Sequence, residues 1–327
     1  MLVLVAPGQG AQTPGFLKPW LDLDGVADRL AWWSAAAGLD LVHYGTQASA
    51  EEIKDTAVAQ PLLVAAGLAA SAALFPNGVA DPAGPRVGAV AGHSVGEITA
   101  AAIGGVLTPE AAMVLVRRRG LAMAEAAART ETGMKVLLGG DHDEVVAKIV
   151  EHGAAPANIN GAGQIVAAGT VEELDALAED PPAGVKVIPL AVAGAFHTKH
   201  MAPAVDELKR IVPGITPADP VVPYVSNTDG GTLHDGAEVL RRIVTQVSNP
   251  VRWDLCMETF RALGVTGVLE VLPAGPLTGL ARRALPGVKT LAVKTPGDLD
   301  AAREFIAEHA TAPAAVPAPA APAAEVS

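Results

Sequence analysis

Ala91-Gly92-His93-Ser94-Val95-Gly96-Glu97 joins a short apolar run, Val87 to Ala91, to an alanine-rich run, Ile98 to Ile103. The first run predicts a buried strand and the second a helix. A serine between two glycines at such a junction is typical of a nucleophile elbow, which strains the serine backbone and leaves no room for side chains at the glycines. The pattern predicts an enzyme that forms an ester on Ser94, and the alternative is a plain tight strand–helix turn.

The composition of the chain limits both fold and function. Its 327 residues are 50% hydrophobic but only 3% aromatic, so alanine and valine must fill the interior, as in helices packed against a parallel sheet. The net charge of −12 argues against nonspecific nucleic-acid binding. The single cysteine, Cys256, leaves no internal disulfide, lacks a glycine turn and fits a buried thiol in a reducing cytoplasm.

A long apolar stretch, Ala57 to Phe75, approaches the length of a membrane span. Gln60 and Pro61 interrupt it early, and alanine dominates the rest. We therefore expect a buried helix that begins at Pro61, and no membrane.

The order of predicted elements indicates an α/β fold with an insertion. Leu2 to Ala6 reads as a buried first strand, and Thr108-Pro109-Glu110 starts a helix well. Between residues 134 and 190 the pattern is strand, helix, strand, strand, helix, strand, which is the ferredoxin-like order. We expect a large domain in two parts, residues 1–130 and 194–310, a small inserted domain at 131–193, and a disordered Pro/Ala-rich tail at 311–327.

A nucleophilic serine needs a base, and the chain has eight histidines. His93 is adjacent to Ser94, but neighbouring residues at a sharp turn point apart, so it lines the pocket at best. His197 is better placed, in a small-residue loop where the chain returns from the inserted domain. A charged run, Asp141 to Glu144, fits a helix start rather than a metal site.

Four motifs occur in one order along the chain: Gly8-Gln9-Gly10-Ala11-Gln12, Gly92-His93-Ser94-Val95-Gly96-Glu97, Arg119-Gly120 and Gly194-Ala195-Phe196-His197. From Leu2 to about Val293 the chain resembles the malonyl-CoA:acyl carrier protein transacylases and the related acyltransferase domains of polyketide synthases. The resemblance implies an α/β-hydrolase-like large domain with a parallel sheet core and an inserted ferredoxin-like domain. It implies malonyl transfer from malonyl-CoA to an acyl carrier protein, for fatty-acid or polyketide synthesis, and no cofactor.

The resemblance also assigns the reacting groups. Ser94 is the nucleophile and His197 the general base, and the backbone N–H groups of Gln9 and Val95 form the oxyanion hole. A backbone carbonyl near Gln246 orients His197. The motif does not distinguish Gln246 from Asn249 as the residue that carries this carbonyl. The alternative for this segment is a helix end stopped by Pro250.

Substrate choice falls to Arg119, which can clamp the free carboxylate of a malonyl group. Arg117, Arg118 and Arg119 lie about 100° apart around a helix, so one points inward and the other two are expected in solvent. Phe196 resembles the malonyl-selecting form of its loop; otherwise it is a core residue. Arg282, Arg283 and Lys199 are candidates to meet an acidic carrier protein, or are ordinary surface residues.

Two other functions remain open on the sequence. A serine hydrolase, such as a lipase or thioesterase, would share the elbow but has no use for a buried cation beside its acyl pocket. A noncatalytic carrier-binding protein would not need Gln9, Ser94, Arg119 and His197 together. The sequence therefore favours the transferase, in the cytoplasm.

Overall fold

The computed structural model describes residues 1–81, 84, 86–192 and 194–310, and the predicted tail at 311–327 lies outside them. Within these residues the strands are β1 Leu2–Ala6, β2 Ala89–Gly92, β3 Thr132–Leu138, β4 Ala155–Gly161, β5 Gln164–Thr170, β6 Lys186–Pro189, β7 Tyr224–Val225, β8 Thr232–Leu233, β9 Val251–Arg252, β10 Gly267–Glu270 and β11 Lys289–Ala292. The α-helices are α1 Val26–Ala37, α2 Leu41–Thr46, α3 Thr56–Leu74, α4 Gly96–Ile103, α5 Pro109–Ala127, α6 His142–Glu151, α7 Val171–Glu179, α8 Ala202–Ile211, α9 Gly236–Gln246, α10 Trp253–Ala262, α11 Pro276–Ala284 and α12 Leu299–His309.

The larger sheet has six strands in the order β11-β10-β1-β2-β7-β8, all parallel except the last pair. Every residue of β1 is buried, as expected for a central strand covered on both faces. Strand β2 begins at Ala89 rather than Val87, because the Val87 N–H donates to the Val79 carbonyl and lies outside the ladder. The chain segments after β1, β2 and β7 emerge at the same carboxyl edge, where α/β proteins bind ligands.

The second sheet has the order β6-β3-β5-β4-β9. Residues 132–189 run strand, helix, strand, strand, helix, strand, and they have a hydrophobic cluster of their own that includes Leu137, Ile149 and Leu177. Strand β9, from much later in the chain, pairs in parallel with β4. This pairing joins residues 132–189 directly to the segment that follows α9.

Helix α3 begins earlier than the sequence indicates. Asp55 caps it by accepting a hydrogen bond from the Ala57 N–H, so the helix starts at Thr56 and Pro61 lies inside it. The expectation of a helix beginning at Pro61 is therefore wrong. Thr56–Leu74 is long and apolar enough to cross a membrane, but 83% of that window is buried within the fold, as in a core helix.

Helices α3 and α5 approach each other closely. Pro61 cannot donate to the Ala57 carbonyl four residues before it, and Arg117 of α5 donates to that carbonyl instead, at 2.6 Å. The expectation that Arg117 is in solvent is therefore wrong, whereas Arg118 is exposed. A Cβ at Gly120 would lie 2.9 Å from the Thr56 carbonyl, so this glycine permits the contact.

Candidate active site

Ser94 lies at the turn between β2 and α4, with a left-handed backbone (φ 55°). A Cβ at Gly92 would lie 1.9 Å from the Gly96 carbonyl carbon, and one at Gly96 would lie 2.2 Å from the Ala6 carbonyl oxygen. Neither contact is possible, so only glycine fits both positions. The strained serine and the two required glycines match the elbow predicted from the sequence.

His197 faces the serine across the carboxyl edge of the sheet. Its Nε2 lies 2.8 Å from Ser94 Oγ, and its Nδ1 lies 3.0 Å from the Gln246 carbonyl oxygen. If Nδ1–H donates to that carbonyl, Nε2 is free to accept the serine proton. The side chain of Asn249 is exposed and bonded to the Thr245 carbonyl, while its N–H donates to the Gln246 carbonyl.

The imidazole of His197 is held neutral by its surroundings. Burial, together with the nearby positive charge of Arg119, lowers its pKa to about 3, against hydrogen bonding to the Gln246 backbone. Its backbone is also left-handed (φ 62°). A neutral, fixed imidazole at hydrogen-bond distance from a serine hydroxyl is what a general base requires.

Arg119 lies on the inward face of α5 and is 1% exposed. It donates to Gln60 Oε1 at 2.6 Å, to Gln246 Oε1 at 3.2 Å and to Ser94 Oγ at 3.3 Å. Burial lowers its pKa to about 10, a shift that Glu97 opposes, so the guanidinium stays charged at neutral pH. The site therefore holds a fixed cation beside the nucleophile, with no carboxylate hydrogen-bonded to it among the described residues.

Glu97, in the first turn of α4, is 1% exposed. Its Oε1 accepts a hydrogen bond of 2.8 Å from the Asn227 N–H. Burial raises its pKa to about 7, against that hydrogen bond and the positive charge of Arg119. The carboxyl group therefore titrates near neutral pH, and it does not line the cavity around Ser94.

The two predicted oxyanion donors, Gln9 and Val95, line the same cavity as Ser94. Gln9 follows β1, and its side chain is held by the Lys54 carbonyl at 3.2 Å. Val95 is the N-cap residue of α4. Among the described residues, neither backbone N–H donates a hydrogen bond to an acceptor, so both are free to donate to a ligand.

A cavity of about 90 Å³ connects these groups. Phe196 is 7% exposed and forms part of its wall. His93 also lines it, with Nε2 2.9 Å from Asn160 Oδ1 and its ring edge-to-face with Trp253. The cavity is lined by Gln9, Gln60, His93, Ser94, Val95, Arg119, Met123, Met134, Asn158, Leu190, Val192, Phe196 and His197.

Two wider cavities share residues with this central one. The first, about 360 Å³, shares Asn158 and His93 and extends to Arg283. The second, about 630 Å³, shares Gln9 and contains Glu51, Lys54 and Asp55. In the part of the chain that the structure describes, no group of three or more His, Cys, Asp or Glu could hold a metal ion.

Sequence reasoning missed two buried polar residues of the site. Gln60 holds Arg119, and its signal was a lone polar residue in an apolar helix. Asn227 accepts from the Ser94 N–H at 2.8 Å, and its signal was a polar residue just past the apolar segment that ends at Val225.

Comparison with known proteins yields consistent matches along the chain. The family model described as "Acyl transferase domain" matches residues 3–295. The malonyl CoA-acyl carrier protein transacylase of Mycobacterium tuberculosis is 52% identical over 300 residues, which cover 92% of this chain and 98% of the relative. The Escherichia coli K12 protein of the same name is 36% identical over 309 residues, 92% of this chain and 98% of the relative.

Solved structures match to a similar extent. The crystal structure of MCAT from Mycobacterium tuberculosis is 50% identical, with a TM-score of 0.89, and the match covers 93% of this chain and 99% of the other. A type II PKS acyl-carrier protein in complex with its malonyl-transacylase gives 32% identity and a TM-score of 0.86, again over 93% and 99% of the two chains.

Proposed function

The chain belongs to the acyl transferase domain family, and on that premise we propose how its site works. The enzyme transfers the malonyl group from malonyl-CoA to the phosphopantetheine thiol of an acyl carrier protein, and so supplies extender units for fatty-acid or polyketide synthesis. The observation that carries this function is a buried cation, Arg119, 3.3 Å from a serine hydroxyl that also lies 2.8 Å from a neutral histidine. Nucleophile, base and carboxylate clamp are in one cavity.

Acylation begins with attack of Ser94 Oγ on the thioester carbonyl, while His197 Nε2 takes the hydroxyl proton. The carbonyl oxygen gains negative charge and is received by the free N–H groups of Gln9 and Val95, since the α4 N-terminus favours an anion. The C–S bond then breaks, and His197 returns its proton to the departing CoA thiolate. The product is malonyl-Ser94 and free CoA.

Transfer to the carrier repeats these steps in reverse. His197 takes the proton of the phosphopantetheine thiol, the thiolate attacks the ester carbonyl, and the same N–H groups stabilise the intermediate. Ser94 leaves and regains its proton from His197. Because CoA leaves before the carrier reacts and the malonyl group stays on Ser94 in between, the reaction is ping-pong.

Arg119 and Phe196 select the acyl group. The guanidinium has no carboxylate bonded to it among the described residues, so it can form two parallel hydrogen bonds with the malonyl carboxylate. The malonyl carboxylate also neutralises the charge that lowers the pKa of His197. Phe196 in a cavity of about 90 Å³ leaves little room for an α-branch.

The pantetheine arm enters through the wider cavity that ends at Arg283. The second cavity contains Glu51 and Asp55 with one cation, Lys54, which is paired with Glu51, so its net negative charge disfavours a phosphate, whereas Arg283 attracts one. Asn158 Oδ1 is buried with no hydrogen-bond partner in the described part of the chain, and it can accept from an amide N–H of the arm. Arg282, Arg283 and Lys199 are exposed and suit an acidic carrier protein.

The strand order supports a finer description of the fold. The arrangement β6-β3-β5-β4, with its two helices, fits a ferredoxin-like domain inserted in an α/β-hydrolase-like one, with boundaries at 1–130, 131–193 and 194–310. The reaction needs no cofactor, because serine, histidine and backbone donors supply each step. We place the enzyme in the cytoplasm, where the buried thiol of Cys256 remains reduced.

The serine-hydrolase alternative is disfavoured by Arg119. In a lipase or thioesterase, this buried cation would lie beside an apolar acyl chain that offers no carboxylate to pair with it, which is unfavourable. The carrier-binding alternative does not explain why Ser94 and His197 both have left-handed backbones and lie within hydrogen-bond distance of each other.

The test separates the two half-reactions. The enzyme is mixed with malonyl-CoA, freed of CoA by gel filtration and then added to phosphopantetheinylated carrier protein. We expect the malonyl group to leave the enzyme and appear on the carrier thiol, with apo carrier protein as the unreactive control. Release of free malonate at the same rate with either carrier would instead identify a hydrolase.

A further inference from the structure

Ser94 adopts a backbone conformation that serine rarely takes, so other groups must hold it there. One side chain does so from both sides of the turn. Asn227 Oδ1 accepts a hydrogen bond of 2.8 Å from the Ser94 N–H, and its Nδ2 donates to the Gly92 carbonyl at 2.7 Å. The carboxamide therefore spans the residues that flank His93 and fixes the curvature of the elbow.

Asn227 is itself fixed by its surroundings. It lies two residues past β7, which pairs with the elbow strand β2, and it is fully buried. Its backbone N–H donates to Glu97 Oε1 at 2.8 Å, in the first turn of the helix that follows the elbow. The side chain can thus act as a rigid support, since little freedom remains to it.

The same oxygen that holds Ser94 also contacts the rest of the site. Gln246 Nε2 lies 3.3 Å from Asn227 Oδ1. Gln246 in turn accepts from Arg119 through its side chain and from His197 through its carbonyl. One carboxamide therefore joins the element bearing the nucleophile to the element that holds both the base and the carboxylate clamp.

We propose that Asn227 is a positioning residue for the acyl transfer: it holds Ser94 in the left-handed conformation and at the correct distance from His197 and Arg119. The proposal rests on the function given above, because it concerns the same reaction. Asn227 does not touch the substrate. It acts through the backbone of Ser94, so it should matter equally for every acyl donor.

The experiment measures the acylation rate constant of Ser94 by quenched flow and intact mass, with malonyl-CoA and separately with acetyl-CoA. For Asn227→Ala we expect both rate constants to fall by about 10²-fold, the effect of a misplacement near 1 Å, with their ratio unchanged. Long incubation should still label every chain. The control, Ser226→Ala, changes a neighbouring buried hydroxyl that accepts from the Thr228 N–H, and should acylate at the wild-type rate.

Three results for Asn227→Ala would overturn the proposal. The first is a wild-type acylation rate constant per active site, and the second is a lower rate constant with malonyl-CoA alone. The third is a smaller labelled fraction of chains at an unchanged rate constant, which would indicate a structural role. If Asn227→Ala does not fold, Asn227→Asp replaces it, because it keeps the acceptor for Ser94 but cannot donate to Gly92 when ionised. Absence of any Ser94 adduct on the wild type would instead contradict the proposed function itself.

Discussion

At the scale of single residues, the site holds two buried ionisable groups, one of which is charged at neutral pH and the other neutral. Arg119 stays charged although it is buried, whereas burial and that charge keep His197 neutral. The sequence could identify both residues through motifs. It could not give their protonation states, because these depend on burial and on partners such as Gln60 and Glu97, which come from other elements.

Replacing Arg119 should change substrate preference rather than general activity. Arg119→Ala should lower kcat/KM for malonyl-CoA by the equivalent of about 3–5 kcal/mol, because the malonyl carboxylate would be left buried without a partner. The value for acetyl-CoA should change little, since acetyl lacks that group. The measurement is kcat/KM for both thioesters.

Arg118→Ala provides the matched control, since this neighbour on the same helix is exposed. It should leave both values unchanged. Equal losses for malonyl and acetyl in Arg119→Ala would show that the arginine supports the fold instead of the malonyl group.

The low pKa of His197 predicts the pH dependence of acylation. An ordinary histidine would gain a proton near pH 6.5 and cease to act as a base. With its pKa lowered to about 3, His197 stays neutral, so kcat/KM for malonyl-CoA should not fall through a histidine titration between pH 8 and 5.5. Any inflection near pH 7 should come from Glu97 and vanish in Glu97→Gln. An inflection near pH 6.5 that persists in Glu97→Gln would contradict this account.

At the scale of elements, the parts that follow local rules were predictable and those that depend on distant partners were not. The elbow and the start of α5 are encoded by glycines and by Thr108-Pro109-Glu110, and both occur as expected. The start of α3 was misplaced because Arg117, from another helix, accommodates Pro61 inside it. Local preference gave no sign of that tertiary contact.

The elbow should not tolerate a single added methyl group. Gly96→Ala would place a Cβ 2.2 Å from the Ala6 carbonyl oxygen and 2.8 Å from the Pro7 carbonyl oxygen, and these backbone atoms cannot move aside. We expect a loss of at least about 1–3 kcal/mol in the free energy of unfolding by urea, together with slower acylation.

Gly279→Ala serves as the comparison for this change. Gly279 lies within α11, and a Cβ there would approach only the Arg283 side chain, at 4.0 Å. Alanine should stabilise this helix by about 0.5–1 kcal/mol. Equal stability of Gly96→Ala and the wild type would contradict the tight packing assigned to the turn.

At the scale of the whole molecule, function depends on contacts between separate parts of the chain. The general α/β class and the strand–helix order of the inserted segment were readable from periodicity. The pairing of β9 with β4, and the meeting of Gln246 and Asn227 beneath the elbow, were not, since both arise only when distant segments pack together. Glu97 lies at the same place, where its carboxyl group accepts from the Asn227 N–H.

The buried carboxyl of Glu97 should make global stability depend on pH. Its pKa is raised from 4.5 to about 7, so the folded state holds its proton more tightly than the unfolded state. Wild-type stability from this group is present below pH 4.5 and is lost as the pH rises through 7. Glu97→Gln should therefore gain about 3 kcal/mol relative to the wild type between pH 4.5 and 7.5, by urea unfolding. His197 gains a proton in this range only on unfolding, equally in both proteins, so its contribution cancels in the difference.

An exposed carboxylate, removed in Glu304→Gln, controls for the loss of a surface charge. Its stability difference from the wild type should stay nearly constant over this range. A constant difference for Glu97→Gln as well would show that Glu97 is not held protonated by burial.

The central claim is that Ser94 carries the malonyl group between donor and acceptor. It is tested most directly by mixing the wild type and Ser94→Ala briefly with malonyl-CoA, followed by intact mass and peptide mapping. We expect a single malonyl adduct on Ser94 of the wild type and none on Ser94→Ala. A wild type without an adduct, or an adduct on another residue such as Cys256, would contradict the mechanism.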